Sequence, residues 1–269
     1  MCQLLGLSFN QEISPVSPFK TLVRNSSLHP DGWGVAYYIY GGRRAKLFKE
    51  SSAAHDSQLA SFLTKYDQFK SKTVVAHIRK ASTGIVSDDN THPFNRYING
   101  RDFVFAHNGT LINPGRLKPL HFLPIGNTDS EAAFCYLLSC MRTSESLRFC
   151  KAEHNAYRDS DFLKIHEILR EINVKAAGSF CCIFSDGNYL YCYRDLQEAR
   201  NLFSMRYPKF SSNMPITKNL INKNSPIKPV TSCKGYVVAT EPLISGDWQP
   251  FVGGQLMVFK NGEMVANLQ

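Results

Sequence analysis

The chain has no long apolar run and no Cys-x-x-Cys spacing, and each absence excludes a class of protein. No stretch of about 18 apolar residues occurs, so the sequence predicts no membrane-spanning helix. The N-terminus lacks the basic stretch and long apolar segment of a secretory signal peptide. No Cys-x-x-Cys pair occurs among the eight cysteines, so we expect no zinc knuckle. We therefore predict a cytoplasmic protein with no membrane partner.

The composition, with 43% hydrophobic and 20% charged residues, is that of an ordinary globular protein. Most cysteines lie in apolar segments such as SFCCIF, which predicts reduced core residues rather than disulfides. The net charge of +9 is uneven, because the stretch from Arg200 to Lys234 contains basic residues and no acidic ones. Several Pro, Asn and Ser residues interrupt this stretch. We therefore predict a solvated irregular loop and do not expect nucleic acid as a partner.

Strand-like segments are grouped near both ends of the chain. The N-terminal group is predicted over Cys2–Phe9, Trp33–Tyr40, Arg44–Lys49, Thr73–Ile78 and Asp102–His107. The C-terminal group is predicted over Ser179–Ser185, Tyr189–Arg194, Leu202–Tyr207, Tyr236–Thr240 and Gln255–Lys260. The dipeptide Asn261-Gly262 predicts a type I′ hairpin after the last of these strands.

Two helices are predicted between the strand groups. The first begins at Thr128, where Thr128-Asp129-Ser130-Glu131 has the Thr-x-x-Glu pattern of a capping box. The second covers about Ser160–Val174, and the segment Thr143–Asp159 between them is predicted as a surface connection. A shorter helix is predicted around Asp56–Tyr66. Two groups of strands around a helical pair favour layered sheets with helices outside.

Cys2 directly follows the initiator Met1, which is normally removed when the next side chain is this small. Removal leaves one residue with both a thiol and a free α-amine. The pKa of an α-amine is about 7.7–8.0, so a useful fraction is neutral at pH 7. That amine can take the thiol proton and activate the sulfur as a nucleophile without a histidine. The alternative is that Cys2 is only a small core residue.

Four further clusters combine residues of chemical interest with ordinary structural roles. They are Asp31–Gly34, Ala76–Gly84, His107–Thr110 and Asn127–Glu131. Each has a structural explanation when taken singly. The first can be a turn, and the charges of the second can be solvated at a strand end. The third can be a hairpin turn that ends a strand, and Asp129 in the fourth is a favourable charge at a helix N-terminus.

Taken together with Cys2, the clusters provide a set of groups suited to cleaving an amide. The Asn108 side-chain amide and the Gly109 backbone N–H are two candidate donors for the oxyanion that attack by the thiolate creates. Arg79 offers a fork for a carboxylate, and Asp129 offers a counter-charge for an ammonium. This is the set needed to hydrolyse the side-chain amide of glutamine.

The order of these motifs resembles that of class II glutamine amidotransferases, the N-terminal-nucleophile type. The similarity is greatest to the small stand-alone YafJ-like branch. The matching pieces are Cys2, DGWG, AHIR, THPF (Thr91–Phe94), HNG, NTDSE and VATEPL (Val238–Leu243). By this resemblance Cys2 is the nucleophile and its amine the base, and Asn108 and Gly109 form the oxyanion hole. Arg79 holds the α-carboxylate of glutamine, and Asp129 holds its α-ammonium.

The resemblance also implies an α+β fold, a four-layer αββα sandwich, formed by a single domain over residues 2–269. It implies no cofactor. The expected reaction is hydrolysis of glutamine, or of a related γ-glutamyl amide, through a Cys2 thioester. Because no acceptor domain follows in the sequence, we expect ammonia to be released for a separate acceptor protein or partner subunit.

Two departures from synthase-type members concern the closing of the pocket: Leu28-His29 replaces Arg-Gly, and Lys80 replaces Trp. Two alternatives to glutamine hydrolysis remain open. One is a catalytically idle relative that binds an amino acid or γ-glutamyl ligand as a sensor or subunit, and the other is an N-terminal-cysteine hydrolase of bulky acyl amides. His77, His92 and His107 are widely spaced, so we expect structural histidines and no metal site.

Overall fold

The computed structural model describes residues 2–39, 42–66, 68–144, 157–207 and 233–269. The greater part of the basic stretch predicted as a loop from Arg200 to Lys234 lies outside the described residues. The same holds for most of the connection predicted over Thr143–Asp159.

Within these residues there are thirteen β-strands and four α-helices. The strands are β1 (Gln3–Ile13), β2 (Trp33–Tyr38), β3 (Ala45–Glu50), β4 (Ser71–Ile78), β5 (Phe94–Ile98), β6 (Arg101–Leu111), β7 (Gly178–Ser185), β8 (Leu190–Tyr193), β9 (Phe203–Tyr207), β10 (Gly235–Ala239), β11 (Gln249–Pro250), β12 (Leu256–Lys260) and β13 (Glu263–Leu268). The helices are α1 (Val16–Arg24), α2 (Gln58–Leu63), α3 (Asp129–Thr143) and α4 (Asp159–Ala176).

The strands form two antiparallel sheets in the described part of the chain. The first has the order β11-β9-β10-β1-β4-β2-β3, and the second has the order β13-β12-β8-β7-β6-β5. All ten predicted strands are present with shifted ends, and so are the three predicted helices. The predicted hairpin joins β12 to β13, with Asn261 and Gly262 both at positive φ, as a type I′ turn requires.

Three apolar clusters fill the spaces between four layers. One cluster joins α1 and α2 to the first sheet, one lies between the sheets, and one joins the second sheet to α3 and α4. In β1, Leu5 and Leu7 belong to the helix-side cluster and Leu4 to the inter-sheet cluster, as the two-residue period of a strand dictates. A Cβ on Gly6 would lie 3.1 Å from Ile183, so this glycine lets the sheets approach closely. The predicted αββα sandwich is confirmed.

The structure corrects the sequence predictions at three places. The interpretation of Asn108-Gly109 as a hairpin turn is wrong, because β6, predicted to end at His107, continues through it to Leu111. Helix α1 was not predicted. It contains Pro18, but this residue lies in the first turn of the helix, where a proline is tolerated. The capping box of α3 is half formed. The Thr128 hydroxyl accepts the Glu131 N–H, but the Glu131 carboxylate accepts from the N–H of Gly126 instead.

No helix among the described residues is both long and apolar enough to cross a membrane.

Candidate active site

Cys2 lies at the start of the central strand of the first sheet. In the antiparallel pairing of β1 with β4, Gln3 is opposite Ile78, so Cys2 adjoins the residues that follow β4. The Lys80 N–H donates to the Cys2 sulfur at 3.2 Å, and the thiol is also 3.2 Å from the Lys80 carbonyl oxygen. Cys2 as a residue is partly exposed, while its thiol is largely buried. Lys80, one of the two departures in the sequence, thus contacts the sulfur through its backbone.

Burial raises the pKa of the Cys2 thiol. The hydrogen bond from Lys80 and the charge of Arg79 oppose this shift with smaller effects. At neutral pH the thiol is therefore protonated. A nucleophilic role for this sulfur requires a base that removes the proton.

The Asp31-Gly32 pair holds the backbone next to Arg79. The Asp31 N–H donates to the Arg79 carbonyl at 3.2 Å, and the Arg79 N–H donates to the Gly32 carbonyl at 2.7 Å. The Asp31 carboxylate accepts the Ala81 N–H at 2.8 Å. The DGWG motif thus braces the chain that contacts Cys2, in addition to forming a turn.

The Arg79 side chain is 2% exposed and lies beneath the loop that follows it. Its guanidinium donates to four backbone carbonyls at 3.0–3.4 Å, those of Asp31, Thr83, Gly84 and Ile85. Burial lowers the pKa of Arg79, while Cys2 and the carboxylates of Asp31 and Asp129 oppose the shift. An arginine stays charged in proteins, so the site retains a cation.

Asp129 is the first residue of α3 and is also buried. Its carboxylate accepts the Leu111 N–H at 2.6 Å and the Thr83 hydroxyl. Thr83 therefore connects the loop after β4 to both charged residues, through its carbonyl to Arg79 and through its hydroxyl to Asp129.

Gly84 lets this loop pack on the start of α3. Its φ is +72°, a left-handed conformation that favours glycine, and a Cβ there would lie 2.8 Å from the Asn127 side-chain oxygen. Asn90 reinforces the contact by donating to the Ile85 carbonyl at 3.0 Å and to the Asn127 side-chain oxygen at 2.8 Å. The NTDSE motif therefore holds the loop as well as starting the helix.

Asn108 and Gly109 lie within β6, where they are paired with Cys181 and Phe180 of β7. A Cβ on Gly109 would lie 2.1 Å from the Ser179 carbonyl oxygen. Packing alone therefore requires a glycine at this position, whatever its chemical role. The Asn108 side-chain amide makes no hydrogen bond within the described residues.

Two cavities meet at Cys2. The smaller, of about 20 Å³, is lined by Cys2, Arg79, Thr83, Gly109 and Asp129 among others. It has room for about one water molecule. The larger is a cleft of about 620 Å³, which is within the usual range for ligand sites. Cys2 and Asn108 line this cleft together with residues of α1, of the segment after it and of the segment after β10, among them Arg24, Asn25, His29, Thr240 and Glu241.

The three histidines form a buried group beside the small cavity. The rings of His77 and His92 have centroids 4.3 Å apart, and His107 Nδ1 is 2.8 Å from the Ser130 hydroxyl. Burial lowers the pKa of all three, that of His77 to about 3, so they are neutral at pH 7. No group of three or more His, Cys, Asp or Glu among the described residues is arranged to hold a metal ion.

The structure brings all five predicted site residues to the two cavities. Thr83, Arg24 and Glu241 were not predicted as site residues. Thr83 and Glu241 lie in or next to quoted motifs, which was a usable signal. Arg24 lies in the helix that the sequence did not predict, so nothing indicated it.

Comparison with known proteins gives a consistent result. The family model of class II glutamine amidotransferases matches residues 1–269. An uncharacterised protein of Methanocaldococcus jannaschii is 38% identical over 266 residues, which are 98% of this chain and 71% of the relative. YafJ of Escherichia coli, whose glutamine amidotransferase name is provisional, is 33% identical over 98% of this chain and 100% of its own length.

Solved structures show the same fold. A Pseudomonas aeruginosa protein described as a predicted glutamine amidotransferase has a TM-score of 0.65 and 29% identity, covering 98% of this chain and 100% of its own. Glutamine phosphoribosylpyrophosphate amidotransferase of Bacillus subtilis has a TM-score of 0.63 and 16% identity, covering all of this chain and 49% of its own. The chain belongs to the class II glutamine amidotransferases, and along its full length it is similar to the YafJ-like members.

Proposed function

We propose that this protein hydrolyses the side-chain amide of glutamine, or of a related γ-glutamyl amide, through a γ-glutamyl thioester on Cys2. The observation that carries the proposal is the small cavity, which brings the Cys2 sulfur, the Arg79 cation and the Asp129 anion to one place. The amino acid end of glutamine carries an α-carboxylate and an α-ammonium. The Arg79 cation is complementary to the carboxylate, and the Asp129 anion is complementary to the ammonium. Ammonia is released for a separate acceptor protein or subunit.

The base in this proposal is the α-amine of Cys2, freed by removal of Met1. The thiol is protonated at neutral pH because burial raises its pKa, so it needs a proton acceptor within reach. An α-amine with a pKa of about 7.7–8.0 meets that need on the same residue. The neutral histidines are an inferior choice, since the pKa of each is lowered by burial.

The oxyanion that forms on the γ-carbonyl is stabilised, in this proposal, by the Asn108 amide and the Gly109 N–H. Asn108 lines the large cleft and Gly109 the small cavity, so the pair lies where the two spaces meet at Cys2. The unused hydrogen-bonding groups of the Asn108 amide are available to a ligand. Fixed donors of this kind stabilise the transition state more than the bound substrate.

Substrate binding requires the loop after β4 to move. A cavity of about 20 Å³ holds roughly one water, and Thr83 and its neighbours occupy the hydrogen-bonding positions of Arg79 and Asp129. Glutamine therefore replaces these internal contacts with its own carboxylate and ammonium. Ile85 and Val86 are exposed, so little apolar burial opposes an outward shift of the loop.

The small size of this cavity, with Arg79 and Asp129 hydrogen-bonded to the loop, also motivates a second candidate function. This is a catalytically idle relative that binds an amino acid or γ-glutamyl ligand. Three measurements on one preparation separate the candidates: the intact mass, ammonia release from glutamine, and labelling by a glutamine-like diazoketone. The enzyme hypothesis expects loss of Met1, ammonia release and one label on Cys2. In Cys2→Ala release and labelling should vanish, whereas in Cys140→Ser, a change of another partly exposed cysteine, both should persist. Mature Cys2 without ammonia release would favour the idle relative.

A further inference from the structure

We propose that the large cleft beside Cys2 binds a small amine that also carries a carboxylate, such as an amino acid or a short peptide. This amine accepts the γ-glutamyl group from the thioester, so the protein is also a γ-glutamyl transferase. The inference rests on the proposed function, because it requires the thioester.

The geometry around the reacting carbon leads to this cleft. A γ-glutamyl carbonyl carbon has three substituents: the oxygen, the glutamyl carbon chain and the departing or arriving heteroatom. In the proposed function the oxygen is directed to Asn108 and Gly109, and the glutamyl chain toward Arg79 and Asp129, which line the small cavity. The third direction is open at the large cleft, whose wall includes Cys2 itself. A volume of about 620 Å³ far exceeds what a departing ammonia or an attacking water needs.

One wall of the cleft carries a fixed carboxylate. The amide nitrogens of Gln3 and Asn25 both donate to the same oxygen of Glu241, the Asn25 bond at 2.8 Å. Glu241 is exposed and has no cationic partner among the described residues. Gln3 directly follows Cys2, and Cys2, Gln3 and Glu241 all line this cleft. It is suited to attracting an ammonium toward the thioester.

A cation faces the same space. Arg24, the last residue of α1, is exposed, lines the cleft and has no carboxylate partner in the part of the chain that the structure describes. Its neighbour Asn25 is the residue that contacts Glu241, so the two charges belong to one wall region. An arginine fork is suited to binding a carboxylate with two parallel hydrogen bonds. Within the described residues, the cleft thus presents an anion without a cationic partner and a cation without a carboxylate partner, and this pair matches an amine that also carries a carboxylate.

The transfer step balances without another reactant. The acceptor binds as an ammonium and releases one proton to solvent in the open cleft. Its neutral nitrogen attacks the thioester carbonyl, the C–N bond forms, and the C–S bond breaks. The proton that the nitrogen then loses passes through the Cys2 α-amine to the departing sulfur. The products are a γ-glutamyl amide and the free Cys2 thiol.

The test measures how the thioester is divided between acceptors. Protein with verified N-terminal processing receives glutamine together with glycylglycine, glycylglycinamide or hydroxylamine, and mass spectrometry quantifies the γ-glutamyl product relative to glutamate. Hydroxylamine is small and uncharged at pH 7–8, so it reports the thioester without using the charged walls. We expect transfer to glycylglycine, and much less to the amide, which lacks the carboxylate.

Variants locate the acceptor site. Arg24→Ala and Glu241→Gln should each lower the ratio of glycylglycine product to glutamate about tenfold, the effect of losing one charge-assisted contact. The hydroxylamine product should not change in either. Lys20→Ala removes another exposed cation from the same helix and should leave the ratio unchanged.

Three results overturn the inference. If hydroxamate and glutamate form but no γ-glutamyl-glycylglycine appears, the cleft does not bind acceptors, while the proposed hydrolysis stands. The same conclusion follows if both variants transfer to glycylglycine as well as the parent protein does. If neither hydroxamate nor glutamate forms, the proposed function is wrong and the transfer proposal with it.

Discussion

Asn108→Ala separates chemistry from folding more cleanly than any other change in the site. Within the described residues the side-chain amide makes no hydrogen bond, and it borders an existing cleft rather than packed core. Truncation therefore leaves no polar partner unpaired and enlarges the existing cleft. We expect the free energy of unfolding to fall by about 1 kcal/mol or less.

The effect on catalysis should be much larger. Removing one donor from an oxyanion hole typically lowers kcat by about 10²–10³, equivalent to about 2.7–4 kcal/mol of transition-state stabilisation. The KM for glutamine should change little, because the donor acts mainly on the charge that develops during attack. The change in the activation barrier should thus be about three times the change in stability or more.

The assay is ammonia release from glutamine across a range of concentrations, with thermal unfolding measured on the same samples. Asn201→Ala serves as the matched control, since this exposed asparagine lines the same cleft. It should leave kcat within about twofold, a small part of the loss of an oxyanion donor. The assignment of Asn108 is refuted if its variant keeps kcat within fivefold of the parent, or if kcat falls only as far as the folded fraction does.

Three further predictions use the charges and the backbone. Because a buried thiol needs the α-amine as base, kcat/KM should rise about tenfold per pH unit below about 7.7 and then level off; a profile already flat at pH 6 would exclude that base. Burial lowers the pKa of His77 to about 3, so the unfolded state binds the extra proton below about pH 6.5. The free energy of unfolding, measured with urea, should keep the whole His77 contribution above pH 6.5 and fall toward pH 4. His77→Gln should reduce the slope of this free energy against pH, and an equal slope in both proteins would contradict the prediction. Gly84→Ala should lower stability by about 1–2 kcal/mol, because φ is +72° there, whereas Gly115→Ala, with nothing within 4 Å of its Cβ, should be near neutral in thermal unfolding; equal melting temperatures for these two variants would show that the backbone at Gly84 is not constrained.

Most of the sandwich was predictable from the sequence because apolar alternation and helix starts are local signals. The predictions that failed concern residues that are common in more than one type of local structure. Asn108-Gly109 has the composition of a hairpin turn, yet it lies inside β6, where the passing backbone of Ser179 leaves no room for a Cβ. Pro15 and Pro18 have the appearance of loop residues, yet they precede and open α1. In each case tertiary contacts determine the local structure, and a local sequence pattern does not show them.

The candidate site was predictable in its residue types and not in its present arrangement. Arg79 and Asp129 were identified by their charges, but no sequence pattern indicated that Thr83 contacts both. These contacts use a backbone carbonyl and a hydroxyl, which leave no distinctive pattern. Glu241 and Gln3 are far apart in the chain, and only the pairing of β1 with β10 brings them together.

The same hydrophobic alternation that forms the core also determines where Cys2 lies. In β1, Leu5 and Leu7 pack toward the helices and Leu4 toward the second sheet, so the register of this strand is fixed by burial on both faces. That register places Gln3 opposite Ile78 and hence Cys2 beside Lys80. A slip by one residue would exchange the two faces, push leucines into the wrong layers and separate the sulfur from Arg79. The position of Cys2 is thus stabilised by the entire core and not by the few hydrogen bonds of the site, so substitutions at Arg79 or Asp129 should alter binding without displacing the sulfur.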